Sequence, residues 1–180
     1  MLRSLAERLL LNIRLERFNM VGVTSCTENG MWVTHVDYVK LSATAHEPTH
    51  GSEYAAGYDL YADLEGQSKI VLAPGEVRKI STGIAIALPQ GTFGAIYARS
   101  GMATKRGLIP ANAVGVVDSD YRGAVIVALK NTSNEVQVVD HGERIAQIVV
   151  TPYCPVTFNE VDSIGTTTRG AGGFGSTGTK

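Results

Sequence analysis

From about Trp32 onward the chain is a succession of short alternating apolar runs, each closed by turn residues, with no long amphipathic helix among them. Ile84, Ile86 and Leu88 alternate within GIAIALP, and Val125, Val127 and Leu129 alternate within AVIVALK. Side chains two residues apart share one face of an extended chain, so each run puts one face into a core. VDYVKL, KIVL, VRKIS, TFGAIYA, EVQVV, RIAQIVV and VTFNEV read the same way. Between them lie Ala73-Pro-Gly-Glu, Pro89-Gln-Gly, Asn131-Thr-Ser-Asn and Asp140-His-Gly, all of them turn chemistry. Only RSGMATKRG reads as a short helix. The pattern therefore predicts an all-β fold of the sandwich, jelly-roll or barrel type. With 180 residues, 44% of them hydrophobic, there is material for one domain with tails.

The two ends differ from this middle. Met1 to Phe18 places Leu2, Leu5, Leu9 and Ile13 near helical spacing, with Arg3, Arg8, Arg14 and Arg17 supplying charge. That is the build of a mitochondrial transit peptide, although Glu7 and Glu16 run against it; the alternative is a disordered or loosely helical extension ahead of a second start at Met20. The other end, RGAGGFGSTGTK from Arg169, has the glycines of a phosphate loop but no helix after it to supply oriented N–H groups. It cannot bury enough surface to order itself, so it is expected to move until a ligand holds it.

Charge and cysteine content narrow the function. Sixteen basic and seventeen acidic residues leave a net charge of −1, so no broad basic field draws in nucleic acid or an anionic membrane. Cys26 and Cys154 stand in no metal-ligand spacing and form no disulfide framework, which predicts an intracellular, reducing setting. No apolar run approaches the ~18 residues of a spanning helix. Asn131-Thr-Ser matches a glycosylation acceptor but is expected to be a hairpin turn.

Individual motifs each have an ordinary reading beside a functional one. His46-Glu-Pro-Thr-His50 satisfies the zinc-protease pattern, but that chemistry needs both rings on one helical face, and Pro48 interrupts the helix. Solvated loop histidines are the expectation. Asp118, after the β-branched pair Val116-Val117, is either a turn residue or, with Tyr121 beside it, a general base and a flat wall for a sugar. Arg99 and Ser100 stand where a strand meets the short helix; Ser100 suits an N-cap, and the guanidinium and hydroxyl suit a phosphate chain. Gln147 and Asp59 each interrupt an apolar strand and must find polar partners, from the protein or from a ligand.

Taken together, AAGYDLYA, ARSGMA, GVVDSDYRG, GERIAQIV and RGAGGFGSTG, in this order, resemble the five motifs of the trimeric deoxyuridine triphosphatase (dUTPase) family. The resemblance covers roughly Val39 to Lys180. It implies a jelly-roll core over 36–162, an N-terminal extension over 1–35, and a flexible glycine-rich C-terminal arm over 163–180 that closes over a neighbouring subunit's site. It also implies hydrolysis of dUTP to dUMP and pyrophosphate by water attacking the α-phosphorus, with Mg2+ carried on the triphosphate. The reaction would limit uracil incorporation into DNA and supply dUMP for thymidylate synthesis.

By motif position, the resemblance makes Asp118 the residue that orients and deprotonates the water, and Tyr121 the residue packed under the deoxyribose. GLIPANAVGVV resembles the family's uracil hairpin, in which backbone groups around Asn112 and Gly115 would read the base edge. Arg99, Ser100, Gly101 and Gln147 would contact phosphates, and Asp59 would meet magnesium through water. In the arm, Arg169, Phe174, Gly175 and Ser176 would cover the nucleotide, Phe174 on the base and Arg169 on the terminal phosphate. The implied assembly is a homotrimer with shared sites; nucleic acid and membranes are not expected partners. Within an intracellular setting, the extension leaves nucleus, cytoplasm and mitochondrion open. A dCTP deaminase of the same fold and a nucleotide-gated interaction module are the competing functions.

Overall fold

The computed structural model describes residues 23–26 and 32–173. Among these residues fourteen strands and one helix follow one another: β1 (Val23–Cys26), β2 (Trp32–Thr34), β3 (Asp37–Lys40), β4 (Thr49–His50), β5 (Tyr58–Tyr61), β6 (Lys69–Leu72), β7 (Val77–Ser81), β8 (Ile84–Ala87), β9 (Thr92–Tyr97), α1 (Ser100–Arg106), β10 (Leu108–Pro110), β11 (Gly115–Val117), β12 (Ile126–Asn131), β13 (Gln137–Asp140) and β14 (Arg144–Pro152). Every pairing is antiparallel. The largest sheet runs β11-β9-β14-β5-β4; a second runs β10-β12-β7; β13-β6, β3-β8 and β1-β2 are two-stranded. This is the all-β architecture that the alternating runs predict, of the jelly-roll type that the family resemblance implies.

The sheets close over one core because their inward positions are the alternating aliphatics. Leu60, Leu72, Ile80, Ile84, Leu108, Val125, Val127, Leu129, Val139 and Ile145 are all buried with at most 2% exposure. Burying each such side chain contributes roughly 1.5–3 kcal/mol, and together they fix which face of every strand points inward. Asn131 lies in this core fully satisfied: its Nδ2 donates to Leu72 O and Glu135 O, and its Oδ1 accepts from Ser133 N and Oγ. The asparagine of the apparent glycosylation site is thus buried at the end of β12, ahead of an exposed turn. The expected turns close as Glu76 N to Ala73 O, Thr92 N to Pro89 O and Glu143 N to Asp140 O.

In four places the chain departs from the sequence expectation. VTFNEV forms no strand: residues 153–164 run without regular structure, with Phe158 93% and Ile164 97% exposed. A strand needs a hydrogen-bonding neighbour, and this segment pairs with no strand among the described residues. Part of the expected N-terminal extension forms the hairpin β1–β2; residues 1–22, which hold the transit-peptide reading, lie outside the described residues. Arg99, not Ser100, occupies the N-cap of α1, with no side-chain cap, and Ser100 is the first helical residue. GLIPANAVGVV does not close as a ladder on itself: β10 pairs with β12 while β11 pairs with β9, so its two arms belong to different sheets.

One buried carboxylate is held by the loops at the end of β5. Asp63 accepts hydrogen bonds from Ser42 Oγ and, at 2.9 Å, from Thr44 Oγ1. Gly83, at φ 66°, leaves room for it, since a Cβ there would overlap Asp63 Oδ2. Burial by itself pushes this carboxyl up, but the hydroxyls of Ser42 and Thr44, the Glu65 backbone and the nearby His141 outweigh it and hold the pKa below the ordinary value. A depressed folded pKa contributes stability that is complete above the unfolded value and fades as pH falls through the folded one. Asp63→Asn is therefore expected to cost about 2 kcal/mol at pH 7, from lost charge-assisted hydrogen bonds. In urea titrations its gap to the wild-type protein should narrow as pH drops below about 4; a gap independent of pH would contradict this.

Candidate active site

The polar interruptions of β5 and β14 meet at one end of the large sheet. Gln147 on β14 stands opposite Asp59 on β5 and, across the other edge, opposite Tyr97 on β9. The chain leaving β9 then carries Ala98, Arg99 and the start of α1 over the same end. Gln147 Nε2 donates to Ala98 O at 2.9 Å, so one amide partner is protein backbone. Asp59 is 7% exposed and is neutralised twice: Arg99 Nε reaches its Oδ1 at 2.7 Å and Arg144 Nη1 its Oδ2 at 3.1 Å. Arg99 Nη1 also donates to Arg144 O at 3.3 Å.

Two guanidiniums around one carboxylate leave a net positive charge beside the exposed Ser100 and Gly101. Such a group suits a phosphate chain, because arginine forks match phosphate oxygens and the excess charge is not cancelled locally. Arg144 is a residue that sequence reading passes over. Its signal lies only in the strand pairing: Asp59 is a buried carboxylate within β5, and Arg144 opens the strand that pairs with it.

Asp118 lies at the other end of the sheet. It follows Val117, which pairs with Gly94, whereas Gln147 pairs with Tyr97. Asp118 and Gln147 are therefore about four residue steps apart along β9, roughly 13 Å at ~3.3 Å per residue. Asp118 is exposed and lines a cavity of about 600 Å³ with Gln90, Thr92, Asp120, Arg122 and Tyr153. Tyr121 turns back over Gly123, where a Cβ would overlap its hydroxyl; its N–H donates to Asp118 O at 3.1 Å and its hydroxyl to Ala124 O at 3.1 Å.

In the segment before Asp118, Val114 N donates to Asn112 O across Ala113, which has φ 61°. Asn112 is exposed, and Gly115 packs so closely on Ile96 that an added Cβ would come within 3.1 Å of it. Arg169, exposed, donates from Nε to Gly172 O at 2.9 Å. Phe174, Gly175 and Ser176 lie outside the described residues. The structure thus gathers Asp59, Arg99, Ser100, Gly101 and Gln147 at one end of the sheet, and Asp118 and Tyr121 at the other.

The zinc-protease pattern does not form a site. His46 to Pro48 is irregular, and Thr49–His50 is strand β4. His46 stacks on Tyr61 with ring centroids 5.0 Å apart, while His50 packs on Tyr58 at 3.9 Å. Among the described residues no group of three or more His, Cys, Asp or Glu is arranged to hold a metal ion, and no helix is long and apolar enough to cross a membrane.

A jelly-roll protein with two arginines on one buried carboxylate at one end of its sheet and an exposed aspartate at a cavity at the other offers an anion-suited group and a separate acid, and comparison with known proteins identifies the class as nucleotide hydrolases. The dUTPase family model matches residues 43–178. The deoxyuridine 5'-triphosphate nucleotidohydrolase of Desulfitobacterium hafniense is 46% identical over 144 residues, covering 79% of this chain and 94% of that one. A mutant dUTPase of Staphylococcus bacteriophage 80alpha, solved with dUpNHpp, is 26% identical and superposes with a TM-score of 0.72 over 81% of this chain and 99% of that one. A mutant dUTPase from phage phi11 of S. aureus, whose structure gives the coordination of a structural Mg(II) ion, is 23% identical with a TM-score of 0.64, over 74% of this chain and all of that one.

The chain belongs to the dUTPase family, and it is an enzyme of the dUTP diphosphatase type. Neither the deaminase nor the interaction-module alternative is favoured by these matches.

The position of Gln147 gives a direct test. A Cβ on Gly57 would overlap Gln147 Oε1, the movable end of a flexible side chain. Gly57→Ala should displace that amide from Ala98 at little cost to folding, lowering kcat/KM for dUTP about tenfold. Its melting temperature should stay within about 4 °C of wild type. Unchanged turnover would mean that Gln147 does not act at the site.

Proposed function

We propose that this enzyme hydrolyses dUTP to dUMP and pyrophosphate at a site shared between neighbouring chains of a homotrimer. The observation that carries this reading is the separation of Asp118 from Arg99 and Gln147 along one sheet. A general base must stand within reach of the water that attacks the α-phosphorus. Residues gripping the adjoining phosphates must then lie only a few ångström further on. One chain holds the two groups too far apart, whereas the phosphate end of one subunit set against the Asp118 end of another brings them together.

In this arrangement Asp118 takes a proton from water as the oxygen bonds to the α-phosphorus; the α–β bridging oxygen departs with the bond's electron pair as pyrophosphate. Arg99, Ser100, Gly101 and Gln147 hold the phosphates and oppose the charge that develops on the leaving group. Tyr121 supports the deoxyribose, and the backbone about Asn112 and Gly115 reads the uracil edge. A fixed pattern of backbone donors and acceptors leaves buried groups unpaired when cytosine enters, which is the basis of discrimination.

The residues present fit magnesium arriving on the substrate. Asp59 keeps lone pairs for a metal-bound water, but with both oxygens facing guanidiniums it is poorly suited to bind a bare cation directly. When bound on the triphosphate, magnesium would neutralise phosphate charge.

The arm over 163–180 is read as a cover supplied by a neighbouring subunit, with Arg169 on the terminal phosphate, Phe174 on the base, and Gly175 and Ser176 near the nucleotide. The exposed apolar run through Val156, Phe158 and Ile164 supports this, since such surface is covered in an assembly more readily than left in water. We divide the chain into an extension (1–35), a catalytic core (36–162) and this arm. A nucleotide substrate argues for an intracellular setting; nucleus, cytoplasm and mitochondrion depend on residues 1–22, outside the described residues.

Hybrid assembly tests the shared site. Asp118→Asn should bind dUpNHpp yet lose about 10³-fold in kcat, and Arg99→Gln should be inactive through lost phosphate binding. Refolded together in equal amounts, they should recover about a quarter of wild-type sites, those drawing Arg99 from one variant and Asp118 from the other. A mixture as inactive as its components would place the whole site in one chain.

A further inference from the structure

We propose that Arg144 is a positioning residue for phosphate binding: by taking one oxygen of Asp59, it keeps the guanidinium of Arg99 free to face the nucleotide. The inference rests on the reading of Arg99 as a phosphate contact, and it assigns to Arg144 a role that the five motifs do not give it.

A nearly buried carboxylate with a single arginine beside it draws that arginine into a two-pronged pair, which occupies the edge of the guanidinium that would otherwise grip phosphate. The geometry around Asp59 is divided instead. Arg99 offers Nε to Oδ1 at 2.7 Å, and Arg144 offers Nη1 to Oδ2 at 3.1 Å. Arg99 is turned further from a two-pronged pairing by its Nη1, which donates to the backbone oxygen of Arg144 at 3.3 Å. Arg144 thus holds Arg99 twice, through the shared acid and through its own carbonyl.

The electrostatics agree. The Arg144 side chain is 48% exposed against 27% for Arg99, so Arg144 bears on the site from its solvent side. The neighbouring acid, Glu143, is already paired with Arg106. Without Arg144, Arg99 and Asp59 would form a neutral pair, and the local field that favours a polyanion would be lost. The consequence should scale with the number of phosphates on the ligand. A triphosphate reaches this group; a monophosphate depends mainly on the base and sugar contacts at the other end.

The test uses Arg144→Gln in the full chain, with affinities for dUpNHpp and dUMP measured without added magnesium, so that any metal role of Asp59 does not enter. The dUpNHpp dissociation constant should rise about tenfold, with that for dUMP changed less than about twofold and the melting temperature retained. Arg144→Lys should restore part of the affinity, by charge without the fork. Adding Asp59→Asn to Arg144→Gln should also restore part of it, because Arg99 is then no longer drawn inward.

Unchanged dUpNHpp affinity in Arg144→Gln, or equal weakening of both ligands, would overturn the proposal. So would a double variant weaker than Arg144→Gln alone. Arg99→Gln in the same assay separates the two levels: if it binds dUpNHpp normally, the reading of Arg99 itself fails. If Arg99→Gln is weak while Arg144→Gln is not, only the role of Arg144 falls.

Discussion

Strand β14 is hydrogen-bonded along both edges, to β5 on one side and to β9 on the other, and its register decides where Arg144 and Gln147 stand against Asp59 and the chain leaving β9. Because side chains alternate, a slip of one residue would turn Gln147 to the opposite face and bring buried Ala146 and Ile148 out of the core. The register is therefore held by the hydrophobic pattern, while the polar residues occupy positions that the pattern leaves. Placing a site on such a strand gives it the rigidity of the core. A loop of the same composition would not fix Asp59, Gln147 and Ala98 against one another.

The same sheet keeps Asp118 and Arg99 apart. β9 carries β11 on one edge and β14 on the other, so the Asp118 end and the Arg99 end are fixed at opposite ends of one rigid element. No rotation of a side chain closes a gap of roughly 13 Å. On the proposed reading, a substrate that spans base, sugar and three phosphates would use this arrangement by bringing two copies together, so that assembly would complete the site. The apolar residues exposed beyond Pro152 fit the same proposal, since they read as a strand in sequence and find no strand partner among the described residues.

The fold was largely legible because alternation and turn chemistry are local signals: the two residues of GIAIALP and AVIVALK that matter most, Ile84 and Leu129, are buried as their spacing requires. VTFNEV misled for the complementary reason, that pairing is not local and a strand-like run says nothing of whether a neighbour exists. The short helix was visible, but its cap was not, because Ser100 as a residue type outweighed the backbone geometry that puts Arg99 there. Asp59 and Gln147 announced themselves as polar residues in apolar strands. Arg144 did not, since a charged residue at a strand's first position is ordinary surface until the opposite strand is known to hold a buried acid.

Asp59 and Asp63 show why burial alone does not mark a functional carboxylate. They lie four positions apart, one within β5 and the other just after it, and both are nearly inaccessible. Asp63 is surrounded by the hydroxyls of Ser42 and Thr44, with Gly83 giving it room. That set fixes a loop and leaves the carboxylate no free direction. Asp59 is surrounded by two guanidiniums that remain partly in solvent and carry more charge than it cancels. The difference lies in the partners: neutral donors complete a buried acid, whereas two partly exposed cations around a single acid leave a positive charge suited to a further anion.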